Sequence, residues 1–106
     1  MAIEEATQAT FAELALGGVA LVDFYTADCV PCRRLEPMLA ALGRSAGDGL
    51  RLVRVDAAAW PELAERLGVQ GVPTLVLLRD GREVGRRTGF QTAHQLRQWV
   101  RPHLEE

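Results

Sequence analysis

Three short segments rich in leucine and valine place the strongest limit on how this chain can fold. They are residues 19–25 (VALVDFY), 50–56 (LRLVRVD) and 73–78 (PTLVLL). The first and third are almost continuously apolar, which is typical of strands in a sheet that is covered on both faces. Because segments with helical spacing lie between the strands, a sheet flanked by helices is the expected architecture.

The segments between these strands predict helices. After the first strand, apolar residues recur every three or four positions, which predicts an amphipathic helix that stops near Gly43. Pro61 occupies a position that is tolerated at the start of a helix, and Gly68 ends that helix. Thr92 is a suitable N-cap for a last helix. The apolar positions of the first of these helices are Leu35, Met38, Leu39 and Leu42.

The beginning of the chain gives weaker signals. Residues 1–6 are compatible with a short edge strand, and Thr7 or Thr10 is a candidate cap for a helix that runs to about Gly17. The sequence therefore predicts one strand and one helix before the first buried strand.

A hairpin closes the series of strands. Asp80-Gly81 is a turn signal, so residues 82–88 are expected to return antiparallel to the strand before them. The resulting order is β-α-β-α-β-α-β-β-α, and strands separated by helices are expected to be parallel. We predict an α/β fold, a mixed central sheet of about five strands with about four flanking helices, in a single domain over residues 1–106.

Composition narrows the possible functions. A formal net charge of −2 argues against nucleic acid as a partner, and no apolar run approaches the length of a membrane span. The N-terminal ten residues, MAIEEATQAT, lack the basic and apolar regions of a secretory signal. We therefore expect a cytoplasmic protein, in a compartment that keeps thiols reduced.

Cys29 and Cys32 are the only cysteines, and they follow directly on the first long strand. Three interpretations are possible for this pair: a redox pair, half of a zinc site, or two small residues packed in the core. Zinc usually takes four ligands, and the nine-residue separation of His94 and His103 does not place them on one face of a helix. A helix N-terminus stabilises a thiolate. A C-x-x-C inside a β-α-β pattern thus favours a redox pair, with Cys29 attacking and Cys32 resolving.

Asp23 is the one charged residue inside the first buried strand, six residues before Cys29. A buried and unpaired carboxylate is costly, so we expect it to be paired or partly protonated. Such a carboxyl group could take and return the proton of Cys32. The alternative is a side chain that reaches the surface at the end of the strand.

Three stretches together resemble the thioredoxin family. Residues 21–37 (LVDFYTADCVPCRRLEP) resemble its strand, W-C-G-P-C active site and kinked helix, here with C-V-P-C. Residues 68–81 (GVQGVPTLVLLRDG) resemble its cis-proline segment, and residues 88–100 (TGFQTAHQLRQWV) resemble its terminal helix. The resemblance covers nearly the whole chain and implies a thioredoxin fold.

The resemblance also implies roles for individual residues. Cys29 and Cys32 match the attacking and resolving cysteines, and Asp23 matches the buried carboxyl group that handles the proton of the resolving cysteine. Pro73 matches the cis-proline, and Val72 matches the residue whose backbone pairs with an extended substrate segment. The other positions implied to contact substrate are Val30, Pro31, Gly71 and Gly89.

Several residues depart from the family pattern. Val30 replaces a glycine between the cysteines and adds bulk to the rim. Asp28 replaces a tryptophan and is expected to raise the pKa of Cys29, while Arg33 acts in the opposite direction. Arg54 stands where a lysine is usual, near the buried aspartate. These departures predict altered partner choice rather than lost chemistry.

The resemblance implies a protein-disulfide reductase that needs no cofactor beyond the Cys29–Cys32 disulfide and no metal. The implied partners are disulfide-containing proteins and thioredoxin reductase or a similar reductant, without nucleic acid or membrane, and we expect a monomer. Two alternatives remain open. The fold could act as an oxidant or isomerase, which a reduction potential would distinguish, or as a non-catalytic module that binds a peptide beside Val72 and Pro73.

Overall fold

The computed structural model describes residues 3–104, in which strands and helices alternate in the predicted order. The predicted strand over residues 1–6 is present as its second half, and residues 1–2 lie outside the described part. The strands are β1 (Glu4–Ala6), β2 (Val19–Tyr25), β3 (Leu50–Asp56), β4 (Thr74–Arg79) and β5 (Arg82–Thr88). The helices are α1 (Phe11–Ala15), α2 (Val30–Ala46), α3 (Pro61–Arg66) and α4 (Ala93–Leu104).

The five strands form one mixed sheet in the order β1-β3-β2-β4-β5. The pairs β1·β3 and β2·β3 are parallel, whereas β2·β4 and β4·β5 are antiparallel. The β4–β5 turn has Asp80 and Gly81 at φ of 50° and 82°, the left-handed region that a two-residue hairpin turn uses. The predicted mixed sheet and late hairpin are confirmed.

The direction of β4 corrects one expectation. A helix separates β3 from β4, so the two strands were expected to be parallel, but β4 pairs with β2 on the opposite side and runs antiparallel to it. A six-residue helix such as α3 rises only about 9 Å. A seven-residue strand rises about 23 Å, so α3 does not carry the chain back to the end of the sheet where β3 began.

The end of α2 corrects a second expectation. Gly43 was predicted to stop this helix, but it is buried within it, and the helix continues to Ala46. The chain leaves the helix at Gly47, where φ is 74°. Because glycine costs only about 1 kcal/mol in a helix interior, the burial of Leu39 and Leu42 in the turn that precedes Gly43 is sufficient to keep this stretch helical.

Of the two predicted threonine caps, the structure confirms Thr92 at α4, whereas Thr10 precedes α1 without capping it. The Gln95 N–H donates to Thr92 Oγ1 at 3.1 Å, and the Thr92 N–H donates to Gln95 Oε1 at 2.9 Å, which confirms Thr92 as the start of α4. Thr10 directly precedes α1 but makes no side-chain cap to it. Its hydroxyl instead accepts the Thr7 N–H at 2.9 Å. No helix within residues 3–104 is long and apolar enough to cross a membrane.

The sheet has a separate hydrophobic core on each face, and the two cores show which helices cover each side chain of β2. Ala20, Val22 and Phe24 of β2 pack with α1 and α3, while Leu21 packs with α2 and α4. Because side chains alternate along a strand, Asp23 shares the face of Leu21, under α2 and α4.

Candidate active site

Three connecting segments meet at one end of the sheet. The register pairs Thr74, the first residue of β4, with both Phe24 near the end of β2 and Thr88 at the end of β5. The segments that follow β2, precede β4 and follow β5 therefore lie at the same end of the sheet. Those segments carry the cysteines, the Val72-Pro73 bond and Gly89.

The cysteines are joined as a disulfide at the N-terminus of α2, with a Cα–Cα distance of 5.2 Å. Cys29 is the N-cap residue, and its Sγ accepts a hydrogen bond from the Cys32 backbone N–H at 3.2 Å. Cys32 is completely buried, whereas Cys29 is only partly buried. The helix N-terminus thus presents its unpaired donors and partial positive charge to the more accessible sulfur.

A small apolar cleft lies beside the cysteines. It has a volume of about 260 Å³ and is lined by Val30, Pro31, Arg34 and Phe90. Val30 and Phe90 are two of the few large apolar side chains in residues 3–104 that are exposed, at 50% and 43%. Phe90 was not predicted from the sequence, although an apolar residue directly after Gly89 was a usable signal.

The Val72-Pro73 peptide bond is cis, as the sequence resemblance implied. Thr74 Oγ1 donates to the Gly71 carbonyl at 2.6 Å, and the Gly89 N–H donates to the Pro73 carbonyl at 2.9 Å. The first bond fixes Gly71 relative to the start of β4, and the second fixes Gly89, which follows β5, beside Pro73. Within residues 3–104, the backbone of Val72 has no hydrogen-bond partner.

Asp23 is buried, with 1% of its surface exposed, so the alternative of a surface-reaching side chain is wrong. It lies opposite Arg54 in the β2–β3 register, and Arg54 Nε is 3.5 Å from Asp23 Oδ2. Neither carboxylate oxygen has a hydrogen-bond partner among the described residues. Burial raises the pKa of Asp23 from its ordinary value of 3.8 to about 7, against the opposing charge of Arg54.

Arg54 is held by groups other than Asp23. Its Nη1 donates to Glu36 Oε2 at 2.6 Å, and its guanidinium stacks on the Tyr25 ring at 3.7 Å from the centroid. The Tyr25 hydroxyl donates to Glu5 Oε2 at 2.6 Å, and burial followed by this bond raises the pKa of Tyr25. Arg54 therefore lies close to the carboxyl groups of Asp23 and Glu36 and pairs with Glu5 in the β1–β3 register, and among the described residues only Glu36 accepts a side-chain hydrogen bond from it.

Glu5 and Glu36 were not predicted from the sequence. Glu36 follows Cys32 by four residues, so the two lie on one side of α2, and this spacing was a usable signal. Glu5 pairs with Arg54 in the β1–β3 register, and only the strand order reveals it.

Asp28 and Arg33 were predicted to tune the pKa of Cys29. Asp28 is exposed, and its Oδ1 accepts the Thr26 hydroxyl at 3.0 Å. Arg33 Nη1 donates to the carbonyl of Ala27 at 3.2 Å. Both side chains thus contact the loop that precedes Cys29, and their effect on the thiol stays a prediction.

The family model named Thioredoxin matches residues 2–102. This chain belongs to the thioredoxin family. It is 38% identical over 104 residues to the thioredoxin of Bacillus subtilis strain 168, covering 98% of this chain and all of that protein. It is 35% identical over 101 residues to the thioredoxin of Chlamydia muridarum, covering 95% of this chain and 98% of that protein.

A solved structure of a mutant thioredoxin from Halobacterium salinarum NRC-1 matches with a TM-score of 0.88. The two chains are 30% identical, and the match covers 100% of this chain and 97% of the other. The thioredoxin fold predicted from the sequence is therefore confirmed.

As a member of the thioredoxin family, the protein is a thiol-disulfide oxidoreductase that reduces protein disulfides. Its redox group is the Cys29–Cys32 disulfide, and thioredoxins work without a further cofactor. Its partners in general are proteins with disulfides and a reductant that resets the pair. Within residues 3–104, no group of three or more His, Cys, Asp or Glu side chains is placed to hold a metal ion.

Proposed function

We propose that Cys29 is the attacking residue, Cys32 the resolving residue and Asp23 the proton acceptor in the reduction of protein disulfides. The Cys29 thiolate attacks one sulfur of the substrate disulfide, forming a mixed disulfide and expelling a substrate thiolate. Cys32 gives its proton to Asp23 and attacks the sulfur of Cys29. The internal disulfide closes, the second substrate thiolate leaves, and two electrons have passed to the substrate.

The observation that carries this proposal is the asymmetry between the two sulfurs. Cys29 Sγ accepts the Cys32 N–H at 3.2 Å at the N-terminus of a 17-residue helix, and this donor favours a thiolate over a thiol. Cys32 has no exposed surface, so a folded protein substrate does not reach it first. These positions support attack by Cys29 and resolution by Cys32.

The environment of Asp23 supports its role as the proton acceptor. A general base is most effective when its pKa is close to the working pH. Burial brings the pKa of Asp23 to about 7, and both of its oxygens are free of hydrogen bonds within the described residues. An aspartate with an ordinary pKa of 3.8 would be a much weaker base at neutral pH.

The Val72 loop supports docking of an extended substrate segment. The backbone of Val72 has no partner within residues 3–104 and so is available for strand addition. Gly71 and Gly89 leave space on the two sides, and a cleft of about 550 Å³ has Gly71 and Val72 on its wall. Val30 and Pro31, which lie between the two cysteines in sequence, line the smaller cleft together with Arg34 and Phe90.

We also propose that the protein works as a monomer in the cytoplasm and that a reductase of the thioredoxin reductase type resets it. A reducing compartment keeps such a dithiol charged with electrons. A reduction potential near about −270 mV supports this direction, whereas a value near about −180 mV or above indicates an oxidant or isomerase. Light scattering tests the oligomeric state.

Replacement of each cysteine tests the assigned roles. We expect Cys29→Ser to abolish insulin disulfide reduction. We expect Cys32→Ser to retain the first attack and to accumulate mixed disulfides with its substrates, because the resolving step is lost. Non-reducing gels and mass spectrometry measure the trapped complexes. Wild-type insulin reduction by Cys29→Ser, or trapping by Cys29→Ser instead of Cys32→Ser, would overturn the assignment.

A further inference from the structure

Arg54 contacts two carboxylates but forms a hydrogen bond with only one of them. Its Nη1 is 2.6 Å from Glu36 Oε2, whereas its Nε is 3.5 Å from Asp23 Oδ2 without a hydrogen bond. A hydrogen bond between ionised groups is short and strong, so the guanidinium is oriented by Glu36. Asp23 is left with a nearby positive charge but without a donor.

The other neighbours of Arg54 keep it in this orientation. The guanidinium is planar and rigid, and it lies on the face of Tyr25 at 3.7 Å from the ring centroid. Tyr25 is fixed by its hydrogen bond to Glu5. The side chain of Arg54 is 16% exposed, and that of Glu36 is 52% exposed. An accessible residue on α2 thus forms a hydrogen bond with a mostly buried cation on β3.

Within residues 3–104, the charged groups around Asp23 are few. They are Arg54 on β3, Glu36 on α2 and Glu5 on β1, while the neighbouring residue on β4 is the apolar Leu75. The Cys29–Cys32 disulfide at the start of α2 does not titrate. Glu36 is therefore the one carboxylate that both contacts Arg54 directly and acts on Asp23.

We propose that Glu36 is a positioning residue for the disulfide reduction. By holding Arg54 Nη1, it prevents the guanidinium from donating a hydrogen bond to Asp23, so that Asp23 keeps the ability to bind a proton at the pH of the reaction. This role rests on the proposed function of Asp23 as the acceptor of the Cys32 proton.

Replacing Glu36 tests the proposal on the oxidised protein, in which no thiol titrates. In Glu36→Gln the charged hydrogen bond to Arg54 becomes a weaker neutral one, so the guanidinium is held less firmly and can approach Asp23, and we expect the pKa of Asp23 to fall by about one unit. Carbon-13 NMR of the Asp23 carboxyl group measures this value. Because Glu36 is half-exposed on the surface of α2, the variant is expected to fold. An unchanged pKa of Asp23 would overturn the proposal.

Two comparisons separate positioning from a simple effect of charge. Glu5→Gln removes the same charge from the same region but leaves the hydrogen bond between Glu36 and Arg54 in place, so a smaller fall is expected. In an Arg54→Gln background there is no guanidinium to release, so Glu36→Gln should lose most of its effect. An equal shift with and without Arg54 would show that Glu36 acts only as a charge and would overturn positioning.

The pH profile of insulin disulfide reduction separates this proposal from the proposed role of Asp23. We expect the midpoint of the profile in Glu36→Gln to move to lower pH together with the pKa of Asp23. If the pKa of Asp23 moves and the rate profile does not, positioning by Glu36 stands and proton transfer to Asp23 is overturned. If neither moves, the positioning role itself is overturned.

Discussion

Two pairs of arginine and carboxylate, one in the exposed strand β5 and one in the centre of the sheet, behave in opposite ways. In β5, Arg86 donates to Glu83 through two atoms, at 2.9 and 2.8 Å. These bonds lower the pKa of Glu83 and raise that of Arg86. In the centre, Arg54 and Asp23 are 3.5 Å apart without a hydrogen bond, and burial raises the pKa of Asp23 to about 7.

The difference shows that the geometry of a pair, rather than its composition, decides its role. Arg86 also donates to the carbonyls of Leu67 and Gly68 at the end of α3, so its donors are used in joining two elements. Arg54 directs its Nη1 to Glu36 and leaves a buried carboxylate without a donor. The first arrangement joins two elements of the fold, whereas the second leaves a buried carboxyl group whose pKa is raised.

The largest expected effect in this comparison is that of Asp23→Asn on stability. The folded protein keeps a proton on Asp23 up to about pH 7, whereas the unfolded chain releases it near the ordinary pKa of 3.8. Ionisation of Asp23 therefore costs stability as the pH rises between these values. We expect Asp23→Asn to be more stable than wild type by about 2–4 kcal/mol at pH 8 in urea unfolding.

This advantage of Asp23→Asn should shrink steadily as the pH falls from about 7 to about 4, because Asp23 is protonated in the folded protein over this range and becomes protonated in the unfolded chain as well. Glu83→Gln is the matched control, since it removes a carboxylate whose pKa is lowered. An advantage of Asp23→Asn that is the same at pH 4 and pH 8 would contradict the raised pKa.

Arg54→Gln should have an intermediate effect. It removes the cation that opposes the rise of the Asp23 pKa, so this pKa should increase above about 7, by about one unit. Carbon-13 NMR of the Asp23 carboxyl group measures the shift. The control is Arg86→Gln, which removes an arginine from the other pair and should leave Asp23 unaffected. A lower pKa of Asp23 in Arg54→Gln than in wild type would contradict the opposing effect of the Arg54 charge.

The smallest effect is expected from Glu83→Gln. Its partner is well placed, but the side chains of Glu83 and Arg86 are 42% and 29% exposed, so we expect a loss of about 0.5–1 kcal/mol at pH 7. The loss should disappear in acid as Glu83 of the wild type becomes protonated below its lowered pKa. It should also shrink in about 1 M salt, which screens exposed charges. A loss as large as the gain in Asp23→Asn would remove the contrast between the two pairs.

Much of the fold could be predicted from local patterns. Strands β3 and β5 have the predicted bounds, and the Asp80-Gly81 turn and the Thr92 cap are where the sequence places them. The direction of β4 was not predicted correctly, because it depends on the short span of α3 and not on the pattern of β4 itself. The end of α2 was also wrong, since packing keeps Gly43 helical.

The site was predictable where a short motif marks its residues. The C-x-x-C pair at a helix start, the aspartate in a buried strand and the cis bond at Pro73 all appeared as expected. Phe90 and Glu36 were not predicted, although each has a local signal, next to Gly89 and four residues after Cys32; the groups that they contact come together only in the folded chain.

Periodicity and short motifs act over a few neighbouring residues. They encode where the strands and helices lie, where both sulfurs are placed and that Asp23 is buried. The partners of the buried charges are not encoded in this way. Glu36 lies 18 residues from Arg54, and it meets that guanidinium because α2 packs over β3. Electrostatic interactions depend on distance and solvent exposure in space, so the folded structure sets which carboxylate receives the hydrogen bond and which one binds a proton.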